Sequence, residues 1–452
     1  MPFPPHFIDS IANAQGFDQG AFVDIHQSPS PTSIRLNPHK PSTAFESMPR
    51  VPWCEYGRYL SERPNFTLDP LFHAGTYYVQ EASSMFLAHA LHHLIDLAQP
   101  QRVLDLCAAP GGKSTLMASM LSSDSVLVSN EIIKNRASIL ANNLSKWGTA
   151  NTYVSNNDPK DFGRLEGYFD VLVVDAPCSG SGLFRKDPQA MNEWSLEAVN
   201  SCAIRQKRLL TDAWVALKQE GILIYSTCSY ANAENEEIAN WITESLGAEQ
   251  LQLPVFEGIE AGNGYRFWPN KCQGEGFYMA CFRKTEAIEL FKYRYQKTEP
   301  NKLRRTQTAA FEHWIQNLEN YIWVQKNDDF FLLNKEQKPD FELFSRNLYL
   351  RKAGVRLGQM AGTDLIPDHE LAMSNALRKD VPSLELDKSE ALKYLRRDDF
   401  TLPSHWQAPH KMPTKNWSIV RHQGHALGLV KVLPNRMNNY YPKEMRILMA
   451  LE

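Results

Sequence analysis

Across 452 residues the chain holds 43% hydrophobic and 22% charged residues with a formal net charge of −3, an ordinary globular composition that excludes a fibrous or low-complexity protein. Length alone allows roughly three domains of about 150 residues. Seven cysteines, an odd number with no CxxC pair, argue against a disulfide framework or a zinc ribbon and for reduced thiols in a cytoplasmic protein. No metal-ligand set is read, and neither a signal peptide nor an apolar run of membrane-spanning length is expected.

Residues 1–95 are mixed and proline-rich early, then turn helical over 81–97. There His89, His92 and His93 sit at helical spacing, but Leu87, Leu91 and Leu94 alongside fit an ordinary helix better than a metal site. From 101 to 284 short apolar runs alternate with helical stretches, the pattern of βαβ units around a parallel sheet. Strands are expected at 102–106, 125–129, 151–155, 169–175, 221–226 and 278–282. A basic run interleaved with aromatics follows, Lys292-Tyr293-Arg294-Tyr295-Gln296-Lys297, continuing to Lys302, Arg304 and Arg305. With so little net charge, affinity for nucleic acid must come from local patches of this kind; Arg351, Lys352 and Arg356 form a second one. Short apolar runs at 321–324, 330–333, 348–350 and 426–432 predict a small α+β or all-β module. The expected division is an N-terminal substrate-positioning region 1–100, an α/β catalytic domain 101–285, a basic linker 286–310 and a C-terminal region 311–452.

Ligands of open α/β sheets bind beyond the carboxyl ends of the strands, and the reactive residues cluster there. Asp105 closes the first strand, and Cys107-Ala108-Ala109-Pro110-Gly111-Gly112-Lys113 follows, a turn whose glycines let backbone approach a ligand closely. Gly112-Lys113-Ser114-Thr115 imitates the end of a P-loop, but the first glycine of that motif would stand at position 107, which is Cys107. Glu131 closes the second strand about 20 residues past the glycines, where a carboxylate meets ribose hydroxyls. Asp158 follows the third strand, placed for an adenine amino group, and Asp175 ends the fourth. Acids at successive strand ends suit a nucleoside cofactor without phosphates, such as S-adenosylmethionine.

Two thiols reach the same edge in Asp175-Ala176-Pro177-Cys178 and Ser226-Thr227-Cys228-Ser229-Tyr230. Cofactor loop, acid and cysteines together suggest covalent methyl transfer to a pyrimidine. C5 of a pyrimidine is a poor nucleophile until a thiolate adds at C6, and covalent catalysis splits one hard step into easier ones. A free thiol titrates near about pH 8.5, so the site has to favour the thiolate, through Lys113 or a helix N-terminus near Cys228. Spacing alone does not say which cysteine attacks. Cys54, Cys202, Cys272 and Cys281 have no partner spacing and read as structural.

The tracts Cys107–Lys113, Asp175–Gly182 and Ser226–Tyr230 resemble the three signature motifs of the NOL1/NOP2/Sun family of RNA cytosine-5 methyltransferases. Arg35-Leu36-Asn37 and Tyr78-Val79-Gln80-Glu81-Ala82-Ser83-Ser84-Met85 resemble its N-terminal elements. The resemblance covers residues 30–284, and the long C-terminal extension resembles the F-type branch that acts on 16S ribosomal RNA. It implies a Rossmann-like S-adenosylmethionine-dependent methyltransferase sheet, an N-terminal α+β extension and a C-terminal PUA-like RNA-binding module. It further implies Cys228 as nucleophile, Cys178 assisting release, Asp175 on the N3/N4 edge of the base, and Lys113 orienting base or cofactor. The cofactor would lie on Cys107, Ala108, Ala109, Pro110, Gly111, Gly112, Lys113, Glu131, Asp158 and Asp175. The expected substrate is 16S RNA near the decoding site, within the 30S subunit, met by a monomer; tRNA methylation and a non-catalytic assembly factor are the rival readings. Tyr77, Tyr78, Phe184, Arg185, Lys186 and Phe267 are candidates for RNA contact, with Gly428–Lys431 and residues 436–443 in the C-terminal module.

Overall fold

The computed structural model describes residues 3–286, 305–398, 416–433 and 436–449. The basic tract from Lys292 to Arg304 lies outside the described residues, and a helix begins at Arg305. The N-terminal region forms a four-stranded sheet from β1 (Thr32–Leu36), β2 (Arg50–Val51), β3 (Cys54–Leu60) and β4 (Tyr77–Val79), ordered β2-β3-β1-β4.

The central sheet has ten strands. Five are parallel: β5 (Arg102–Asp105), β6 (Val126–Asn130), β7 (Thr152–Ser155), β8 (Phe169–Asp175) and β9 (Leu217–Thr227). Antiparallel β10 (Ala248–Leu251), β11 (Ile259–Gly262), β12 (Gly264–Phe267) and β13 (Phe277–Lys284) extend it beyond β9. Both faces are covered, so its strands are near-continuous apolar runs rather than alternating ones. Leu104, Val128, Leu172 and Leu223 face one core, while Val103, Leu127, Val171 and Ile224 face the other. Each such buried side chain stabilises the fold by about 1.5–3 kcal/mol.

The chain runs β5 to β6 to β7 in one direction, then returns to place β8 on the other flank of β5. The strand order therefore reverses between β5 and β8, and a crevice opens there at their carboxyl ends. Gly111, at φ 115°, turns the chain out of β5 into helix Gly112–Met120, a conformation that costs little only without a Cβ.

The C-terminal half contributes β14 (Tyr321–Lys326), β15 (Asp329–Asn334), β16 (Leu350–Ala353), β17 (Val355–Ala361) and β18 (Asp364–Pro367), then β19 (Ser383–Glu385), β20 (Trp417–His422), β21 (His425–Leu433) and β22 (Arg436–Asn439). Two four-stranded sheets result, ordered β14-β15-β17-β18 and β19-β20-β21-β22. β16 instead joins the central sheet, antiparallel to β7, with Lys352 opposite Val154 and Ala353 opposite Tyr153. This placement buries Lys352 of the second basic patch and leaves Arg351 and Arg356 half-buried. Lys352 is buried and pairs with Glu370 at 2.7 Å, and Arg356 pairs with Asp329 at 2.8 Å and Asp368 at 3.2 Å. Among the described residues no helix is long and apolar enough to cross a membrane.

Candidate active site

Two adjoining cavities, of about 270 and 510 Å³, open at the carboxyl ends of β5, β6, β8 and β9. Cys107, Ala109, Asp175, Leu183 and Cys228 line both. The smaller adds Asp105, Pro110, Gly112, Lys113, Tyr78 and Phe277. The larger adds Glu131, Pro159, Cys178, Arg205 and Arg208.

The cofactor loop curls with its backbone toward this space. Arg136 Nη2 donates to the Ala109 carbonyl at 2.8 Å and Asn143 to the Pro110 carbonyl at 2.8 Å, fixing the turn from behind. Arg35, buried to 1% exposure, fastens the loop's exit to β1. Its guanidinium donates to Gln80 Oε1 at 2.9 Å, Thr115 Oγ1 at 2.6 Å and the Gly112 carbonyl at 3.3 Å, and lies 4.6 Å from the Trp147 ring centroid. Burial lowers its pKa to about 10, and these oxygens together with the ring face replace lost water.

Three acids meet the crevice differently. Asp105 is fully buried; Oδ2 accepts from Ser114 Oγ at 2.6 Å, but Oδ1 has no partner among the described residues. Burial pushes its pKa up to about 7, against the Ser114 bond, which lowers it. Glu131 accepts from the Ile133 amide at 2.9 Å and pairs with Arg136 at 3.3 Å. Asp175 at the end of β8 pairs with Lys113 Nζ at 2.8 Å and accepts from Ser226 Oγ at 2.9 Å. Asp158 is not brought into the walls. Its carboxylate caps the 3-10 helix Pro159–Leu165 by accepting from the Lys160 amide at 3.2 Å, and Pro159 takes the lining position.

The two cysteines come together. Cys178 Sγ lies 3.1 Å from Cys228 Sγ, although 50 residues separate them in the chain. Gly182 makes this approach possible: its amide donates to the Cys228 carbonyl at 2.8 Å, and a Cβ there would come within 2.8 Å of that oxygen and 2.3 Å of the Gly276 carbonyl. The hydrogen bond to Cys228, followed by burial, raises the Cys178 pKa well above the ordinary thiol value. Cys107 is likewise raised, by burial and the surrounding acids. Lys113 is held by Asp175, so its charge is already engaged before any thiol is considered.

Several expected RNA contacts are corrected by packing. Tyr77, Phe184 and Phe267 are buried at 2% exposure or less, each among other aromatic rings. Arg185 is buried in an ion pair with Glu275 at 3.0 Å. Tyr78 lines the smaller cavity, and Lys186 is exposed. In the C-terminal module Arg436 and Tyr440 are exposed while Tyr441 is buried. The sequence reading placed Asp105 at a strand end without giving it a role, and it missed Phe277, Arg205 and Arg208, for which no local signal existed.

Comparisons with known proteins agree with one another over most of the chain. The family model of 16S rRNA methyltransferase RsmB/F matches residues 92–283, the N-terminal domain of 16S rRNA methyltransferase RsmF matches 3–82, and the methyltransferase RsmF PUA domain matches 381–447. Ribosomal RNA small subunit methyltransferase F of Escherichia coli strain HS is 30% identical over 480 aligned positions, covering 98% of this chain and 96% of that protein. The protein of the same name from Enterobacter sp. strain 638 is 32% identical over the same shares. Among solved structures, a methyltransferase homolog from Pyrococcus horikoshii superposes with a TM-score of 0.53 at 30% identity, over 62% of this chain and 94% of that one. NSun6 from Pyrococcus horikoshii, solved with SFG, shares the fold with a TM-score of 0.54 at 20% identity, over 63% of this chain and 99% of that one. On these grounds the chain belongs to the family of ribosomal RNA small subunit methyltransferase F.

Proposed function

We propose that this protein methylates C5 of a cytosine in 16S ribosomal RNA, within the 30S subunit in the cytoplasm, through a covalent bond to Cys228. As a member of its family it is an S-adenosylmethionine-dependent rRNA methyltransferase. The crevice fits that cofactor. It offers a buried carboxylate oxygen without a partner on Asp105, a loop of backbone from Cys107 to Gly112, and Glu131 at the next strand end. These residues would hold the cofactor, which supplies an electrophilic methyl group when bound.

The observation that carries the mechanism is the pair of sulfurs 3.1 Å apart at the junction of the two cavities. Cys228 lines both cavities and Cys178 only one. In the proposed reaction the Cys228 thiolate forms a bond to C6, making C5 nucleophilic. After C5 takes the methyl group, its proton passes to solvent water and the C6–sulfur bond breaks, its electron pair returning to sulfur as the thiolate. Cys178, kept as a thiol, assists this release by donating a hydrogen bond to the departing Cys228 sulfur, 3.1 Å away. Asp175 at the same junction, with Lys113 paired to it from the smaller cavity, would hydrogen-bond the base and stabilise charge that develops on attack. Arg205 and Arg208 at the rim have no ion pair among the described residues and suit RNA phosphates. The matched PUA domain over 381–447 supports an RNA substrate.

The test is to incubate wild type, Cys228→Ala and Cys178→Ala with small-subunit RNA and S-adenosylmethionine and look for denaturant-resistant protein–RNA adducts. Cys178→Ala should accumulate the adduct, while Cys228→Ala should neither trap nor methylate. The reverse pattern would exchange the two roles, and full activity in both variants would sink the covalent reading.

A further inference from the structure

Behind the two thiols lies a carboxylate that touches neither cavity. Glu234 is fully buried, and its two oxygens accept four hydrogen bonds. Oε1 takes the Ser179 amide at 2.8 Å and Gln206 Nε2 at 3.4 Å; Oε2 takes Ser179 Oγ at 2.6 Å and Ser229 Oγ at 2.5 Å. Ser179 and Ser229 are the residues immediately after Cys178 and Cys228. One side chain therefore holds both thiol loops.

The hold is uneven. On the Cys178 side it is bidentate, and Gln206 adds a bond to the Pro177 carbonyl at 3.0 Å. On the Cys228 side it is a single hydroxyl, supported by Asn235, which donates to the Ser229 carbonyl at 2.8 Å and accepts from Thr227 Oγ1 at 2.5 Å. The glutamate's own backbone is fixed by Tyr225, whose hydroxyl donates to the Glu234 carbonyl at 2.7 Å. All four of these bonds come from neutral donors on three residues, the Cys202 thiol also lies against the carboxylate, and it has no ion pair among the described residues. A buried acid tolerates this only if its bonds repay much of its lost hydration. Breaking the set is costly, so the arrangement is stiff.

We propose that Glu234 is the positioning residue of the cysteine pair: it sets the separation of the two sulfurs and, by gripping Ser179 with both oxygens, places its negative charge on the Cys178 side. That asymmetry makes Cys178 the member that keeps its proton and Cys228 the member free to attack. Two chemically identical thiols thus receive different tasks from one residue outside the reaction space. This rests on the covalent methyl-transfer reading above.

Glu234→Gln keeps the size but removes the charge and two of the acceptor lone pairs, Glu234→Ala removes the link, and Ser179→Ala loosens one arm of it. Three readouts are needed on the full-length protein: S-adenosylmethionine affinity by calorimetry, steady-state methyl transfer to small-subunit RNA, and closure of the Cys178–Cys228 disulfide by diamide. In that closure diamide takes one hydrogen from each thiol and is reduced to the hydrazine while the sulfurs join. Because a 1 Å misplacement can cost about 100-fold, Glu234→Ala should lose about 100-fold, and Glu234→Gln about 10-fold, in both kcat and closure rate. Cofactor affinity and KM for RNA should stay within about twofold, a split that general damage to the fold would not give. Intact cofactor binding with kcat and closure within about threefold of wild type would overturn the proposal. If Glu234→Ala no longer binds cofactor, Glu234→Gln and Ser179→Ala decide by the same criteria. If wild type transfers no methyl group, the functional reading fails, while the diamide rates still decide whether Glu234 sets the sulfur geometry.

Discussion

Lys113 Nζ stands 2.8 Å from Asp175 Oδ2, joining the first turn after the cofactor loop to the end of β8 across the crevice. The pair closes the gap at the switch point, with Lys113 on the smaller cavity and Asp175 on the wall shared by both. Residues acting as a unit give non-additive losses. Lys113→Met and Asp175→Asn should each lower kcat by about 100-fold, and the double variant should be no worse than about threefold below the poorer single one. Additive losses in a single-turnover assay would show that the two act separately.

Asp105 sets a pH dependence. Its folded pKa is about 7, raised chiefly by burial, against an ordinary 3.8. Between those values the folded protein binds more protons than the unfolded chain, so stability falls as pH rises through this window. Asp105→Asn should flatten that part of the Tm-versus-pH curve and raise Tm at pH 8 in the absence of cofactor, while weakening S-adenosylmethionine binding. An unchanged curve would mean that Asp105 does not carry the dependence.

Removing Arg35 should hurt stability and cofactor affinity together. Arg35→Met strips donors from Gln80 Oε1, Thr115 Oγ1 and the Gly112 carbonyl, and buried acceptors left unpaired cost about 1–3 kcal/mol. Denaturant melts should show a loss of at least about 2 kcal/mol, and calorimetry a weaker cofactor complex. Loss of stability with an unaltered cofactor Kd would confine Arg35 to folding.

At the cavity rim, Arg205→Ala and Arg208→Ala should weaken RNA binding without changing S-adenosylmethionine affinity. If each contacts one phosphate of a single-stranded segment, the slope of log Kd against log salt should fall by about 0.7 per arginine. Slopes that match wild type would place the RNA path elsewhere.

The parallel strands were legible because their apolar runs are short and bounded: 169–175 is found as expected, and 102–106 and 151–155 shift by one residue. β9 starts at Leu217 rather than Gly221, because Leu217 pairs with Phe169 across a register shift that no local pattern announces. The two thiols were legible as strand-end residues. Their 3.1 Å contact was not, since it depends on Gly182 and on Glu234 bridging two distant loops. Asp158 shows a different ambiguity: position at a strand end is shared by ligands and by helix caps, and in the structure its carboxylate caps a 3-10 helix. Tyr77, Phe184 and Phe267 looked available for stacking only because aromatics near a motif in sequence can point into either core.

Pairing of β16 with β7 imposes an order on synthesis. Ribosomes deliver Thr152–Ser155 nearly 200 residues before Leu350–Ala353, so the emerging sheet presents a bare edge while the intervening polypeptide is still being made. A bare edge invites association with other chains. Birth of this enzyme in crowded polysomes therefore exposes a sticky ridge until its last quarter emerges, and release-stalled fragments ending before residue 350 should aggregate where those ending after 361 do not.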